Sequence, residues 1–489
     1  MNAIYEYFFL PLSPVLALVF AGLLLIVLEC VSEEGLKPLK STVAFLGPLI
    51  SLYYVFQLSF TSGLAFSDPS SLTGPVWLVE FTKIYKLDGM TLNFFWAIDV
   101  FLLLTLLFFH SFYEEWLERN ELLILIEFIS VGMMILVSAN DLLMLFLGLE
   151  LMSLPTYVIV GFRRENVKSC EAALKYFLFG SFGTVLLLLS VAILYGQFGT
   201  LKTGQLQFLL AQTSNLSNPA VLVSLGLMLA AVGFKIGMTP FQMWLPDAYE
   251  GAPTSITGFM GSAVKLASFG LAIRIFGGVF LPLAEKWMGL MSWFAVISIF
   301  VGNLCALRQK NLKRLFAYSS IAHAGFIILG VAALPKDAQS QQMIYYYLVT
   351  YGMMFLGVFA FLNLMEQNGK SLEFSNLSGL GFRNPVLGIA LAIFVFSAAG
   401  IPPTAGFFAK YFILFESVKT QGVLFAVLAV ISSAMGIYYY LKVIVHLYMQ
   451  DASGGSKLAV QSTSTYIAIL ICAASLLFFS IFPGRLGVF

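Results

Sequence analysis

Charge is what this 489-residue chain has least of, with Asp, Glu, Lys and Arg together making up only 10 % of it. A soluble domain carries roughly 25 %, so water is not the only solvent the chain is built for. Cysteine occurs four times and histidine three. Cys30, Cys170, Cys305 and Cys472 are scattered without CxxC or other ligand spacing, and read as small apolar residues in helices, not as a metal or cluster site. No GxGxxG, GxxxxGKS/T or GxSxG occurs in a usable context, nor does a nucleophilic triad. Nucleotide, flavin and haem sites are therefore not expected here. The N-terminus lacks a basic region and a small-residue cleavage site, so the first apolar run reads as a retained helix.

What is abundant is hydrocarbon. Hydrophobic residues make up 60 % of the chain and the mean hydropathy is +0.91. Apolar runs of ~20 residues, each able to cross a ~30 Å hydrocarbon core, recur at 9–29, 41–61, 91–111, 121–138, 141–162, 170–198, 219–244, 252–280, 287–307, 313–333, 341–365, 385–416, 422–450 and 463–483. The fold class is thus an all-α polytopic membrane protein of about 14 transmembrane helices. An even number of spans puts both termini on one side. If the N-terminus is outside, the inner loops hold thirteen basic residues: Lys37, Lys40, Arg119, Arg163, Arg164, Lys168, Arg308, Lys310, Lys313, Arg314, Lys370, Arg383 and Lys457. Outer segments hold seven: Lys83, Lys86, Lys202, Lys286, Lys336, Lys419 and Arg485. The excess of inner positive charge places both termini outside.

Six basic residues remain in or near the spans: Lys175, Lys235, Lys265, Arg274, Lys410 and Lys442. A lysine at the centre of a span costs ~2.5–3.5 kcal/mol on insertion. Arg274 and Lys442 lie near helix ends, where they can snorkel; the other four call for a reason.

Their spacing supplies one. Glu150 to His323 is 173 residues, Lys235 to Lys410 is 175, and Lys265 to Lys442 is 177. Helix breakers recur in step, with Gly237, Thr239 and Pro240 in the seventh span and Gly400, Pro402 and Pro403 in the twelfth. Matching points lie five spans apart, an odd number, so the second copy runs opposite to the first. This predicts two inverted five-helix repeats, helices 4–8 and 9–13, with helices 7 and 12 broken. The chain divides accordingly into an N-terminal three-helix segment (1–120), a first repeat (121–280), a second repeat (281–450) and a C-terminal helix (451–489). Both lysines fall on the outer side of their breaks, where freed backbone groups need protein or water partners.

A lysine in a low-dielectric site loses its preference for the charged form, and a nearby carboxylate restores it. One pKa unit is ~1.4 kcal/mol and moving one charge through 100 mV costs ~2.3 kcal/mol, so a row of such lysines matches the energy scale of proton transport. Glu150, in LFLGLELMSLPTY, is the natural partner of Lys235; a static ion pair between helices five and seven is the plain alternative. Lys175 is a second modulating charge on helix six. His323, in YSSIAHAGF, is either a relay between the halves or a hydrogen-bonded packing residue. Asp99 and Glu127 also lie within spans, with lining or structural roles.

The segments LGLELMSLPTYVIVGF (147–162), ALKYFLFGS (173–181), GFKIGMTPFQMWLPDAYEGAPT (233–254), YSSIAHAGF (318–326) and GIPPTAGFFAKYFIL (400–414) resemble the antiporter-like membrane subunits of bacterial NADH-quinone oxidoreductase, respiratory complex I. Among these the chain is most similar to subunit N. It carries Lys410 where the subunit M pattern has a glutamate, it has the SSIAHAG form around His323, and no long lateral helix follows the fourteenth span. The family is also similar to Mrp-type antiporter and membrane-bound hydrogenase subunits. The resemblance implies Glu150 and Lys235 as a coupling pair, Lys175 as an additional charge near it, Lys265 as the connecting lysine and Lys410 as the terminal proton site. It further implies that NADH, FMN, iron–sulfur clusters and quinone belong to partner subunits, with no cofactor or metal in this chain. The partners are then other membrane-arm subunits, including neighbouring antiporter-like ones, and the lipid bilayer; nucleic acid is not among them. The location implied is the bacterial inner membrane, with both termini periplasmic.

Three functions remain open on the sequence. The first is a proton-translocating subunit of a redox-driven pump, with no redox chemistry of its own. The second is a subunit of an Mrp-type Na⁺/H⁺ antiporter or membrane-bound hydrogenase. The third is an assembly subunit whose buried charges only fix helix packing.

Overall fold

The computed structural model describes residues 9–31, 36–61, 84–109, 121–212, 215–450, 457–459 and 463–486. Lys83 and Arg119, counted above for orientation, and residues 110–111 of the third span lie outside the described residues. Six helices come first: α1 (Leu10–Val31), α2 (Lys37–Thr61), α3 (Gly89–Phe109), α4 (Glu121–Ser138), α5 (Leu142–Val160) and α6 (Val167–Phe198). A short α7 (Thr203–Leu210) then leads to α8 (Pro219–Ile236), α9 (Trp244–Gly251) and α10 (Thr254–Val279). The rest are α11 (Ala284–Leu307), α12 (Leu312–Ala333), α13 (Ser340–Gln367), α14 (Pro385–Ala399), α15 (Ala405–Gln421), α16 (Val423–Tyr448) and α17 (Thr463–Ile481). Among the described residues there are 13 helices long and apolar enough to cross a membrane, and α14 with α15 supplies one more crossing in two short pieces. No strand forms among these residues; three isolated bridges, such as Tyr85 with Ala139, tie loops together.

Local chemistry sets the helix ends. Asp141, Asn166, Asn218, Asn311 and Thr404 each accept a backbone N–H of the first turn of α5, α6, α8, α12 and α15, the standard use of a short polar side chain at an N-cap. Pro219 and Pro385 open α8 and α14, where a missing N–H costs nothing.

The arrangement around the centre is concentric. The apolar central stretches of α10 and α13 are wholly buried and that of α12 almost so, whereas α1, α6 and α16 leave about two thirds of theirs outward. Outward side chains on α6 include Phe177, Leu178 and Val185, as a lipid-facing helix requires. α13 is the hub, packing against α3, α10, α12, α14, α15 and α17.

The predicted breaks are where the sequence put them. α8 stops at Ile236 and Gly237 turns left-handed (φ 73°, ψ 37°), its N–H returning to the carbonyls of Gly233 and Phe234. α14 stops at Ala399 and Gly400 does the same (φ 77°, ψ 41°), returning to Phe396 and Ser397. Each break also holds one cis bond, Thr239–Pro240 and Pro402–Pro403. The freed groups find partners. Thr239 N–H donates to Ser298 Oγ (2.9 Å) and Gly406 N–H to Ser397 Oγ (3.1 Å), which satisfies the demand that no backbone dipole be left bare in hydrocarbon. The twelfth span proves longer than its hydropathy suggested, because α15 continues five residues past 416 to Gln421.

Candidate functional site

Lys235 occupies the last turn of α8. Its Nζ donates to Ser153 Oγ of α5 at 2.6 Å, and Ser153 donates in turn to the Leu149 carbonyl. Tyr157, one turn beyond Ser153, places its ring 6.0 Å from the ammonium. Glu150 lies three residues before Ser153 and accepts from Thr184 Oγ1 of α6 at 2.7 Å. The sequence pairs Glu150 directly with Lys235, but no such ion pair forms among the described residues. Each charge is held by a hydroxyl instead. Beside Lys235 and Thr184 lies a cavity of about 20 Å³, lined also by Leu149, Tyr157, Phe234 and Trp244. That is room for one water.

Lys265 follows a π turn in α10 (Met260–Val264), a local widening often found at functional positions. Its Nζ donates to the Ser320 carbonyl (2.6 Å) and to Ser320 Oγ (2.5 Å), and sits 5.0 Å from the Tyr351 ring centre. Lys410 sits in the second turn of α15 and folds back onto its own break. Its Nζ donates to the carbonyls of Ala398 (3.0 Å) and Ala399 (2.9 Å) and to Ser433 Oγ (3.3 Å), over the Phe326 ring. Those carbonyls end α14, where the helix dipole is negative and a cation is favoured.

His323 lies between these two lysines. Its Nδ1 is 2.8 Å from Tyr347 OH and its Nε2 3.2 Å from Tyr440 OH, and Tyr440 OH is also 2.5 Å from Ser319 Oγ. One helix therefore joins the set. Ser320, His323 and Phe326 recur every three residues on α12 and face Lys265, the tyrosine pair and Lys410 in turn. From Ser320 to Phe326 the helix rises about 9 Å.

Lys175 does not join the line. Its Nζ pairs with Glu171 (2.7 Å) and Asp247 (2.8 Å), and Asp247 and Glu250 also hold Arg314. Nine residues of α6, a rise of about 13 Å, separate it from the Thr184 that bonds Glu150. The cluster surrounds a cavity of about 310 Å³. Lys442 stands near the end of α16 over the Phe374 ring. Arg274 does not snorkel; it forms a two-pronged pair with Asp88 (2.6 and 2.8 Å) and bonds Thr91. Burial pushes the Asp88 carboxyl up, but the Arg274 hydrogen bond and charge, the Thr91 N–H and Lys86 outweigh it and hold the group well below the usual range.

Sequence reasoning missed several partners. Ser153, Ser320, Tyr347, Tyr351 and Tyr440 carry no signal of their own, because hydroxyl side chains are common in membrane helices and close on a carbonyl four residues back, as Ser130 and Thr156 do here. Only the i, i+3 spacing of Ser320 and His323 could have flagged one of them. Lys313, assigned to an inner loop, is buried in the first turn of α12 and donates to the Ala252 carbonyl at 2.5 Å. No group of three or more metal-ligating side chains forms among the described residues.

Comparison with known proteins gives the family. Residues 139–436 match the family model for NADH:quinone oxidoreductase/Mrp antiporter transmembrane proteins. NADH-quinone oxidoreductase subunit N of Trichlorobacter lovleyi is 39 % identical over 76 % of this chain and 76 % of its own. Subunit N 1 of Sorangium cellulosum is 35 % identical over 97 % and 96 %. Among solved structures, a chain of respiratory complex I from Thermus thermophilus with bound aureothin superposes with TM-score 0.77 at 28 % identity, covering 96 % of this chain and 97 % of that one. A chain of the Mrp complex from Dietzia sp. DQ12-45-1b shares the fold (TM-score 0.80, 20 % identity, 98 % and 95 % covered). By the family match and by its full-length likeness to subunit N proteins, the chain belongs to the NADH:quinone oxidoreductase/Mrp antiporter transmembrane family.

Proposed function

We propose that this chain is a proton-translocating membrane subunit of an NADH-quinone oxidoreductase. Protons pass along Lys235, Lys265, His323 and Lys410, with Glu150 modulating Lys235 and Lys175 acting as a charge at the edge of the same half. The observation that carries this reading is the single face of α12 that reaches Lys265, the His323–tyrosine pair and Lys410 in succession. A purely structural set of charges would pair each ammonium with a carboxylate. Lys265 and Lys410 are instead held by hydroxyls, carbonyls and ring faces, none of which fixes the ammonium as a paired carboxylate would, and the hydroxyls can also relay a proton.

The wider assignment rests on the family. NADH oxidation, quinone reduction and their cofactors lie in partner subunits, and neighbouring antiporter-like subunits flank this one in the membrane. The location is the bacterial inner membrane, with both termini on the periplasmic side. The matched left-handed glycines at 237 and 400 support two inverted repeats, 121–280 and 281–450, set between the N-terminal segment and the last helix.

The test is proton pumping against NADH-driven quinone reduction in membranes carrying Lys235→Ala, with assembly checked on the same samples. An assembled complex that has lost most of its pumping is the expected result. Normal pumping by an intact variant complex would make Lys235 structural and sink the reading. A requirement for Na⁺ without NADH would move the chain to the antiporter branch of the family.

A further inference from the structure

A second group of ionisable residues lies away from the lysine line, among the first four helices. Asp99 on α3 and Glu127 on α4 are both fully buried. Asp99 Oδ2 accepts from Ser51 Oγ of α2 at 2.7 Å. Asp99 Oδ1 and both Glu127 oxygens have no hydrogen-bond partner. The two carboxyls are electrostatic neighbours, and among the described residues no cation pairs with either.

The backbone makes room for them. A Cβ on Gly47 of α2 would lie 3.4 and 3.5 Å from the two Glu127 oxygens and would collide with Ala21 of α1 at 2.6 Å. Gly47 and Ser51 are one turn apart, so a single face of α2 meets both acids. The same stripe carries Lys40 two turns earlier, fully buried and bonded to Glu29 of α1 at 2.7 Å. α10 and α13 meet α3 through apolar contacts, Gly270 against Phe94 and Gly352 against Phe101.

Three unpartnered acceptor oxygens with no donor is an arrangement a protein interior does not tolerate. Two neighbouring carboxylates in a low-dielectric site do not both ionise. One added proton eases both faults, since it removes a charge and turns one of the three bare oxygens into a donor. We propose that Asp99 and Glu127 together bind one proton, forming a carboxyl site inside the membrane that is separate from the lysine line. One carboxyl is then neutral and the other ionised.

Infrared difference spectroscopy on the intact membrane complex tests this, wild type against the double variant Asp99→Asn with Glu127→Gln. The expected difference is the loss of one protonated-carboxyl stretch, sensitive to deuterium, together with one carboxylate stretch. Loss of two protonated-carboxyl bands would mean two independent neutral acids. Loss of two carboxylate bands would mean no bound proton. Either result overturns the proposal. So would replacement of the protonated band by a carboxylate band when Na⁺ is added at constant pH, which would make this a cation site. Should the double variant fail to assemble, Glu127→Gln alone decides: a shared proton shifts the band of Asp99, and independent acids leave it in place. Lys235→Ala is the control that keeps the two proposals apart, because it stops pumping on the reading above and leaves these bands unchanged.

Discussion

The two broken helices share a backbone and differ in what they do with their lysine. Gly237 and Gly400 have nearly the same left-handed angles and return their N–H groups to the same relative carbonyls. Lys235 precedes its break and reaches across to Ser153 on another helix, near Glu150. Lys410 follows its break and closes on the last carbonyls of the half-helix it has just left. One ammonium is therefore held by an exchangeable hydroxyl with an acid in range. The other is held by a fixed dipole, and among the described residues no carboxylate pairs with it. The same break can thus present a lysine that answers to a neighbouring charge or one that answers to local geometry.

The largest effect that would break this comparison comes from the glycines. An alanine in a left-handed position costs about 1–3 kcal/mol in the backbone at either site. At Gly400 the new Cβ would also lie 2.9 Å from Lys410 Cδ, whereas at Gly237 it would meet Leu245 Cδ1 at 2.6 Å. Both Gly400→Ala and Gly237→Ala should lower thermal stability of the assembled complex. Only Gly400→Ala should also cut pumping per assembled complex, by roughly tenfold for each 1.4 kcal/mol transmitted to the lysine. Equal pumping losses at the two sites would show that the breaks act alike.

A smaller effect sharpens the hydroxyl-versus-carbonyl distinction. Ser153→Ala removes the side-chain acceptor of Lys235 and should cost about 1.5–3 kcal/mol in holding the ammonium, visible as a several-fold fall in proton-to-electron ratio. Ser433→Ala takes from Lys410 only its longest bond, 3.3 Å, and leaves two carbonyls. Its ratio should stay near that of the wild type.

The smallest effect concerns ion pairs away from the lysine line, where pH acts on Asp88 and Asp337. Because the Asp88 carboxyl is held below its usual range by Arg274, its stabilisation is present above the ordinary aspartate value of about 3.9 and is lost as pH falls toward the lowered value. Thermal melts of the complex should therefore lose stability on the acid side, and Asp88→Asn should flatten that limb. Asp337, also held down by the Lys419 hydrogen bond, is solvent-exposed at its partner and should contribute less.

How much of this was legible depended on what hydrocarbon penalises. Lys235, Lys265 and Lys410 stood out because a charge in a span is costly enough to demand a reason. The breaks stood out because Gly and Pro cannot continue a helix. Ser320 and Tyr440 did not, since a hydroxyl pays little to enter a helix that can accept its proton. The sequence sets Lys175 near the coupling pair as a modulating charge, yet its ammonium pairs with Glu171 and Asp247, and the α6 residue that bonds Glu150 is Thr184, nine positions further along. Lys313, at the first position of the 313–333 span, counts as a loop charge in the sequence because hydropathy does not say whether a lysine at a helix end turns to water or, as here, inward to the Ala252 carbonyl.

The sequence by itself determined the membrane, the approximate spans, the two breaks and the presence of Lys235, Lys265 and Lys410 within the spans. Each of these follows from local composition measured against one apolar solvent. Only the tertiary structure decided which groups touch the lysines: that Ser153 stands in front of Lys235, that one face of α12 joins Lys265 to Lys410, and that Asp99 and Glu127 are neighbours. Those contacts cross between helices far apart in the chain, where side-chain packing and not hydropathy selects the partner.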